Sequence, residues 1–293
     1  MIYSYGVTQT GQYHIKNNTV CQDSHCIKII NEHFAIAAVA DGLGSEKYSD
    51  IASKIAAEDS VKYCCENIAE DDTETVILSE IKASFEMALN NIRKTAQNNQ
   101  HDINEYDTTL ALAVFVDGNV YFGNSGDSGI VVLNSDGTYE NLTEQQRDEN
   151  GCVFPLYFGE EKWVFGSKNK VASVLLATDG IYETLFPYLL RGEDEEMYIA
   201  LARYLMSEES LGFENSEEGQ VQKQMYSFIE SIPGDQVSDD KTVVVLVDTS
   251  VKVEKQPDEY YQAPDWAALK KKRDEEYRRA AYPHLFDDSS SEK

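Results

Sequence analysis

The spacing of apolar positions divides the chain into elements before any chemistry is considered. The clearest stretch is Phe34 to Ser45, a continuous apolar run that stops at Asp41-Gly42-Leu43-Gly44. A short apolar run closed by glycine reads as a buried strand, here residues 33–41, with a carboxylate held at its exit. Ile2 to Thr8 alternates like an earlier strand. Helical patterns follow over 49–69 and 73–99, and the second carries Ile77, Ile81, Phe85, Ala88 and Ile92 on one side. That is the stripe of a helix covering a core. A β-meander comes next, with strands at Thr108–Val116, Val120–Gly123 and Ile130–Leu133 turned by Asp117-Gly118 and Asp136-Gly137. Asp-Gly between apolar runs is a strong hairpin signal, so these strands are expected to pair antiparallel.

Residues 143–170 are irregular, with Gly151, Pro155, Gly159 and Gly166, and a stretch of that length is expected to be a functional flap. Ala172–Ala177 reads as a buried strand and Ile181–Phe186 as a helix start. Residues 193–232 read as two acidic helices, and Thr242–Val247 as a last strand. Strands, a helix pair, a meander, helices and a final strand make an α+β order with packed antiparallel sheets. A doubly wound parallel sheet would need regular strand–helix alternation. The expected organisation is one domain over 1–250, then a linker and C-terminal helix or tail over 251–293. Pro257 and Pro264 mark the linker, and Asp265 reads as the N-cap of a helix to about Ala281. That helix is basic (Lys270-Lys271-Lys272-Arg273, Arg278-Arg279) with Trp266, Leu269 and Tyr277 as a partial apolar face. It is expected either to dock on the acidic body or to bind a partner. The Ser289-Ser290-Ser291 end reads as disordered.

Composition narrows the function classes. A net charge of -27 over 293 residues argues against a nucleic-acid partner, because phosphates are repelled by most of the surface. No apolar run reaches the roughly 18 residues of a membrane span, and the N-terminus shows no signal-peptide pattern. Five cysteines without metal-type spacing are expected to be reduced thiols, which points to the cytoplasm. Cys64 and Cys65 fall in a helical pattern and read as core filler.

The candidate chemistry lies in the acids at strand ends. Asp41 is joined by Asp127, Asp179, Asp239 and Asp23, each beside β-patterned sequence. One Asp-Gly turn is ordinary, whereas repetition at strand ends is not. Carboxylates with few His or Cys favour hard divalent ions such as Mg²⁺ or Mn²⁺. Clustered acids repel one another unless a metal offsets them. Two such ions can lower the pKa of water and clamp an in-line displacement at phosphorus, which suits phosphate ester hydrolysis. His14, Lys16 and Asn18 share parity, so an extended segment would project all three from one face.

Six motifs then fall in order: Cys21-Gln22-Asp23, Val39-Ala40-Asp41-Gly42-Leu43-Gly44, Asp107-Thr108-Thr109, Gly123-Asn124-Ser125-Gly126-Asp127-Ser128, Ala177-Thr178-Asp179-Gly180 and Asp239-Asp240-Lys241-Thr242. In that order, over residues 1–248, the chain resembles the metal-dependent type 2C Ser/Thr protein phosphatases, in their bacterial form. The resemblance implies a four-layer αββα sandwich with two central antiparallel sheets. It implies that a metal-bridging hydroxide attacks phosphoserine or phosphothreonine directly. It also implies a phosphoprotein substrate and an opposing Ser/Thr kinase. Carried over by position, Asp41 bridges two ions, the Gly42 carbonyl binds one of them, and Asp179 and Asp239 hold the other. Asp127 with Asp179 matches a weaker third ion, Asp23 lies close to the metal waters, and Thr108 and Thr109 support the site from behind.

Departures from the family pattern are specific. Gln22 stands in place of a usual Glu, and Asp107 in place of a usual Gly. The phosphate-gripping arginine of many members falls at Asn18, which leaves His14 or Lys16 as stand-ins. Leu43 replaces the histidine that eukaryotic members place after Asp-Gly. Gln22, Asn18 and Leu43 favour an alternative, a pseudophosphatase or scaffold that binds a phosphoprotein or kinase without turnover. The intact Asp41, Asp179 and Asp239 oppose it.

Overall fold

The computed structural model describes residues 1–283; the serine-rich end discussed above lies outside them. The elements run β1 Ile2–Gln9, α1 Gln12–Asn17, β2 Asp23–Ile29, β3 Phe34–Asp41, α2 Ser49–Asn67, α3 Glu74–Asn99, β4 Leu110–Val116, β5 Asn119–Ser125 and β6 Gly129–Asn134. They continue with β7 Tyr139–Asn141, β8 Val164–Asn169, β9 Val171–Ala177, α4 Asp179–Leu185, α5 Ile199–Met206, α6 Glu208–Leu211, α7 Gln220–Ser231, β10 Lys241–Asp248 and α8 Trp266–Ala281. One five-stranded sheet has the order β1-β10-β9-β6-β7 and the other β2-β3-β4-β5-β8, and every pairing is antiparallel.

Strand periodicity explains the four layers. Along β3, Phe34, Ile36, Ala38 and Ala40 pack toward α2 and α3, while Ala35, Ala37 and Val39 face the opposing sheet. Along β10, Val243, Val245 and Val247 pack under α4, α5 and α7, while Val244 and Leu246 face inward. A central strand buried on both faces must be apolar at every position, which is why these runs stood out in the sequence. The result is the expected αββα sandwich, with three apolar layers between four structural ones.

Several elements differ from the sequence reading. β2 pairs residue for residue with β3, from Asp23 opposite Asp41 to Ile29 opposite Ala35, although its polar sequence gave no strand signal. Residues 143–170 end in an edge strand, β8, paired with β5. The acidic 193–232 region folds as three α-helical pieces, because Ser207 takes extended backbone (φ -89°, ψ 139°) between α5 and α6, and Gly212 (φ 65°) and Gly219 (φ 75°) adopt left-handed backbone between α6 and α7. α8 begins at the predicted cap, where the Asp265 carboxylate accepts from the Ala267 and Ala268 amides. Of its two expected placements, it takes docking on the body. Trp266 meets Tyr198 edge-on at 5.0 Å, Lys272 and Arg273 pair with Glu193, and Arg273 donates to the Leu189 and Arg191 carbonyls. Among the described residues no helix is long and apolar enough to cross a membrane.

Candidate metal centre

The sheet pairing brings the acids together. Asp41 ends β3 directly opposite Asp23 at the start of β2. Asp127 lies in the tight turn between β5 and β6, Asp179 opens α4 beyond β9, and Asp239 precedes β10. The ends of both sheets meet at this point, so separate segments converge on one cluster.

The backbone around Asp41 is fixed by the Thr108-Thr109 pair. Thr109 Oγ1 accepts from the Asp41 amide at 2.9 Å, and the Asp41 carbonyl accepts from the Thr109 amide and the Thr108 hydroxyl. Thr109 Oγ1 also bonds Ser128 Oγ at 2.9 Å, which ties the β3 exit to the loop carrying Asp127. Gly42 is closely enclosed: a Cβ there would lie 2.4 Å from the Ser49 carbonyl oxygen and 2.9 Å from that of Gln22. Asp23 is buried and accepts from Thr178 Oγ1 at 2.7 Å.

Proximity leaves a clear electrostatic signature. Burial first, then Asp23, Asp179, Asp127 and Asp239, push the Asp41 carboxyl well above the ordinary carboxylate range. Asp179 rises to about 7, from burial and then from Asp127, Asp239 and Glu183, with Arg147 opposing. Burial dominates the upward shifts of Asp23 and Asp127 as well, and Arg147 again opposes the second. Such a cluster is strained when it is ionised without cations. Among the described residues, the buried oxygens without a hydrogen-bond partner include Asp127 Oδ1 and Gln22 Oε1, whose amide nitrogen is spent on Ser49 Oγ at 2.7 Å. Carboxylate and carbonyl oxygens, the orphaned Asp127 and Gln22 oxygens and a crowded glycine fit a site for hard divalent ions.

One expectation is corrected here. His14, Lys16 and Asn18 do not lie in an extended segment. His14 and Lys16 lie on α1, a six-residue helix, and Asn18 caps its end in left-handed backbone (φ 54°). Positions two apart on a helix point about 200° from each other, so the three share no face. Lys16 and Asn18 are exposed, while His14 is buried with Nδ1 2.8 Å from Asp240 Oδ1, off the line of a hydrogen bond. The helix is set by tertiary contacts that local propensity cannot reveal. The Gly11 amide donates to Asp240 Oδ1 at 2.6 Å and the Tyr13 amide to the Ser238 carbonyl at 2.8 Å. His14, Asp239 and Asp240 nevertheless offer ligand atoms within 4.8 Å of one another, so the imidazole reaches the edge of the cluster.

Three residues near the centre were not singled out from the sequence. Asp240 accepts from the Gly11 and Gln22 amides, each at 2.6 Å, and so holds the segment ahead of β2 against the β10 entrance. Glu183 sits one helical turn after Asp179, a spacing that was legible. Arg147 reaches both Asp179 and Glu183 from the irregular 143–170 stretch, where no pattern marked it. A cleft of about 1090 Å³ opens from Asp179 and Asp239 and runs past Pro187, Tyr198 and Ile232 to Trp266.

The family model for protein phosphatase 2C matches residues 10–212. The chain belongs to that family. As a member it is a metal-dependent protein serine/threonine phosphatase, of a class that uses divalent metals. No curated protein matches the sequence. Among solved structures, the Mycobacterium tuberculosis serine/threonine phosphatase PstP/Ppp is similar in fold, with a TM-score of 0.57 at 18% identity, covering 87% of this chain and 99% of that one. Staphylococcus aureus serine/threonine phosphatase Stp1 gives 0.55 at 18% identity, over 84% and 95%. A PstP catalytic domain solved with two manganese ions gives 0.55 at 15% identity, over 84% and 97%.

In this phosphatase the glycine after Asp179 makes a sharp test of the layout. A Cβ at Gly180 would sit 2.0 Å from the Asp240 carbonyl oxygen, and backbone there cannot swing aside. Gly180→Ala is therefore expected to push α4 from the β10 entrance and separate Asp179 from Asp239. Calorimetric titration should show Mn²⁺ affinity reduced at least about tenfold, with a loss of about 1–3 kcal/mol in stability. Unchanged affinity would mean that the two carboxylates do not share an ion.

Proposed function

We propose that the phosphatase works with two Mn²⁺ or Mg²⁺ ions held by Asp23, Asp41, Asp179, Asp239 and the Gly42 carbonyl, acting on phosphoserine or phosphothreonine in proteins. The observation that supports this reading is the convergence of these carboxylates at one end of the sandwich, with Asp41 shifted upward by burial and then by Asp23, Asp179, Asp127 and Asp239, and Asp179 by burial and then by Asp127, Asp239 and Glu183. When bound, the ions supply charge neutralisation and activate water for attack at phosphorus. The chain supplies the rest. The Thr108-Thr109 bonds keep Asp41 from turning, Thr178 orients Asp23, and Asp240 locks the entry to β2 beside the cluster. Leu43 can neither give nor take a proton, so protonation of the leaving Ser or Thr oxygen falls to water or to another side chain. The cleft running to Trp266 gives the peptide flanking the phosphorylated residue a bed beside the carboxylates. The cellular setting is cytoplasmic bacterial signalling, opposite a Ser/Thr kinase.

The test is hydrolysis of p-nitrophenyl phosphate by metal-stripped protein with Mn²⁺ or Mg²⁺ restored. Turnover should appear only with the metal. Metal binding without turnover under either ion would move the reading to a pseudophosphatase, and Gln22, Asn18 and Leu43 would be the first positions to restore.

A further inference from the structure

The negatively charged cluster is met by one side chain from the irregular stretch. Arg147 places a single nitrogen, Nη2, 2.7 Å from Asp127 Oδ2, 3.2 Å from Asp179 Oδ2 and 3.1 Å from Glu183 Oε1. Its two hydrogens are donated to Asp179 Oδ2 and Glu183 Oε1, which leaves the closer Asp127 contact to charge. Asp127 is buried, which makes the contact with it the least screened of the three.

The placement is built into the backbone. The Gln146 amide donates to the Gly126 carbonyl at 3.1 Å, and the Gly126 amide donates back to Gln146 Oε1 at 3.0 Å. The Phe154 amide then donates to the Gln146 carbonyl at 2.9 Å, and Arg147 bridges antiparallel to Val153. Arg147 is thereby tethered next to the loop that carries Asp127. It does not reach in as a free surface side chain.

We propose that Arg147 is a built-in cation occupying the Asp127–Asp179–Glu183 position, so that a third divalent ion must displace it and the enzyme runs on two. The inference rests on the two-ion reading above and departs from the three-ion expectation drawn for Asp127 with Asp179. Its consequence is that the 143–170 segment is clamped to the centre by its own charge. Among the described residues Asp127 Oδ1 has no hydrogen-bond partner, so the position keeps the capacity to take an ion once the guanidinium is gone.

The experiment counts ions rather than turnover. Full-length wild type, Arg147→Gln and the double variant Arg147→Gln/Asp127→Asn are dialysed to equilibrium against Mn²⁺, and bound metal is measured, with circular dichroism checking the fold. Arg147→Gln should bind one ion more than wild type, and the double variant should return to the wild-type count. Equal counts for Arg147→Gln and wild type would overturn the proposal, as would an extra ion that survives Asp127→Asn. The wild-type count by itself tests the two-ion reading, so the two can fail separately.

Discussion

Asp41→Asn should abolish metal-dependent phosphatase activity while making the metal-free protein more stable. Asp41 is the acid most surrounded by others, opposed by Asp23, Asp179, Asp127 and Asp239, and it sits at the exit of a central strand. An amide of the same shape keeps the backbone bonds to Thr108 and Thr109, because those involve the Asp41 amide and carbonyl. What disappears is a buried negative charge among negative charges. Without metal, that removes a repulsion. With metal, it removes a ligand, and the loss of several kcal/mol of transition-state stabilisation means a rate at least about 10³-fold lower. Turnover of p-nitrophenyl phosphate and the melting temperature in chelator should thus move in opposite directions. Near-wild-type turnover would remove Asp41 from the centre. A lower melting temperature in chelator would make it a structural residue.

The sandwich was legible because its central strands are buried on both faces. β3, β4, β9 and β10 carry apolar residues at almost every position, and the Asp-Gly turns between runs announced antiparallel pairing. The five aspartates were legible because each lies within two residues of a strand end, and Asp41 is the first polar residue after its apolar run. β2 escaped because it is an edge strand, only partly buried along most of its length, and its residues are mostly polar. α1 escaped because six residues cannot form a helix on propensity alone; the Asp240 carboxylate and the Ser238 carbonyl, more than 200 positions away in sequence, hold its start. Parity counted along an assumed strand therefore sent His14, Lys16 and Asn18 to a common face that does not exist. Arg147 shows a different limit. Nothing local marks it, yet the charge of -27 required cations somewhere near clustered acids. Local pattern finds what a strand must present, while long-range charge balance is settled only when distant segments meet.

That same balance gives the metal-stripped protein an inverted response to pH. Asp179 titrates near 3.8 in an unfolded chain and at about 7 in the fold, and Asp41 is also raised. Between those values the native state binds more protons than the unfolded one, so stability falls as pH rises through that window and levels off above it. No penalty exists below the unfolded value, and it is complete above the folded one. At about 1.36 kcal/mol per unit, and discounting for the part of the Asp179 side chain open to solvent, that residue alone costs on the order of 2–4 kcal/mol at neutral pH. In chelator the melting temperature should therefore drop by roughly 5 °C or more between pH 5 and pH 7.5. Mn²⁺ at about a hundredfold above its dissociation constant should restore about 2.7 kcal/mol per bound ion, and more at pH 7.5 than at pH 5, because ions compete with protons for the same oxygens. Asp179→Asn should flatten the chelator profile and reduce the metal response together. A melting temperature in chelator that rises with pH would show that the cluster is already neutralised within the protein, with Arg147 the first residue to examine.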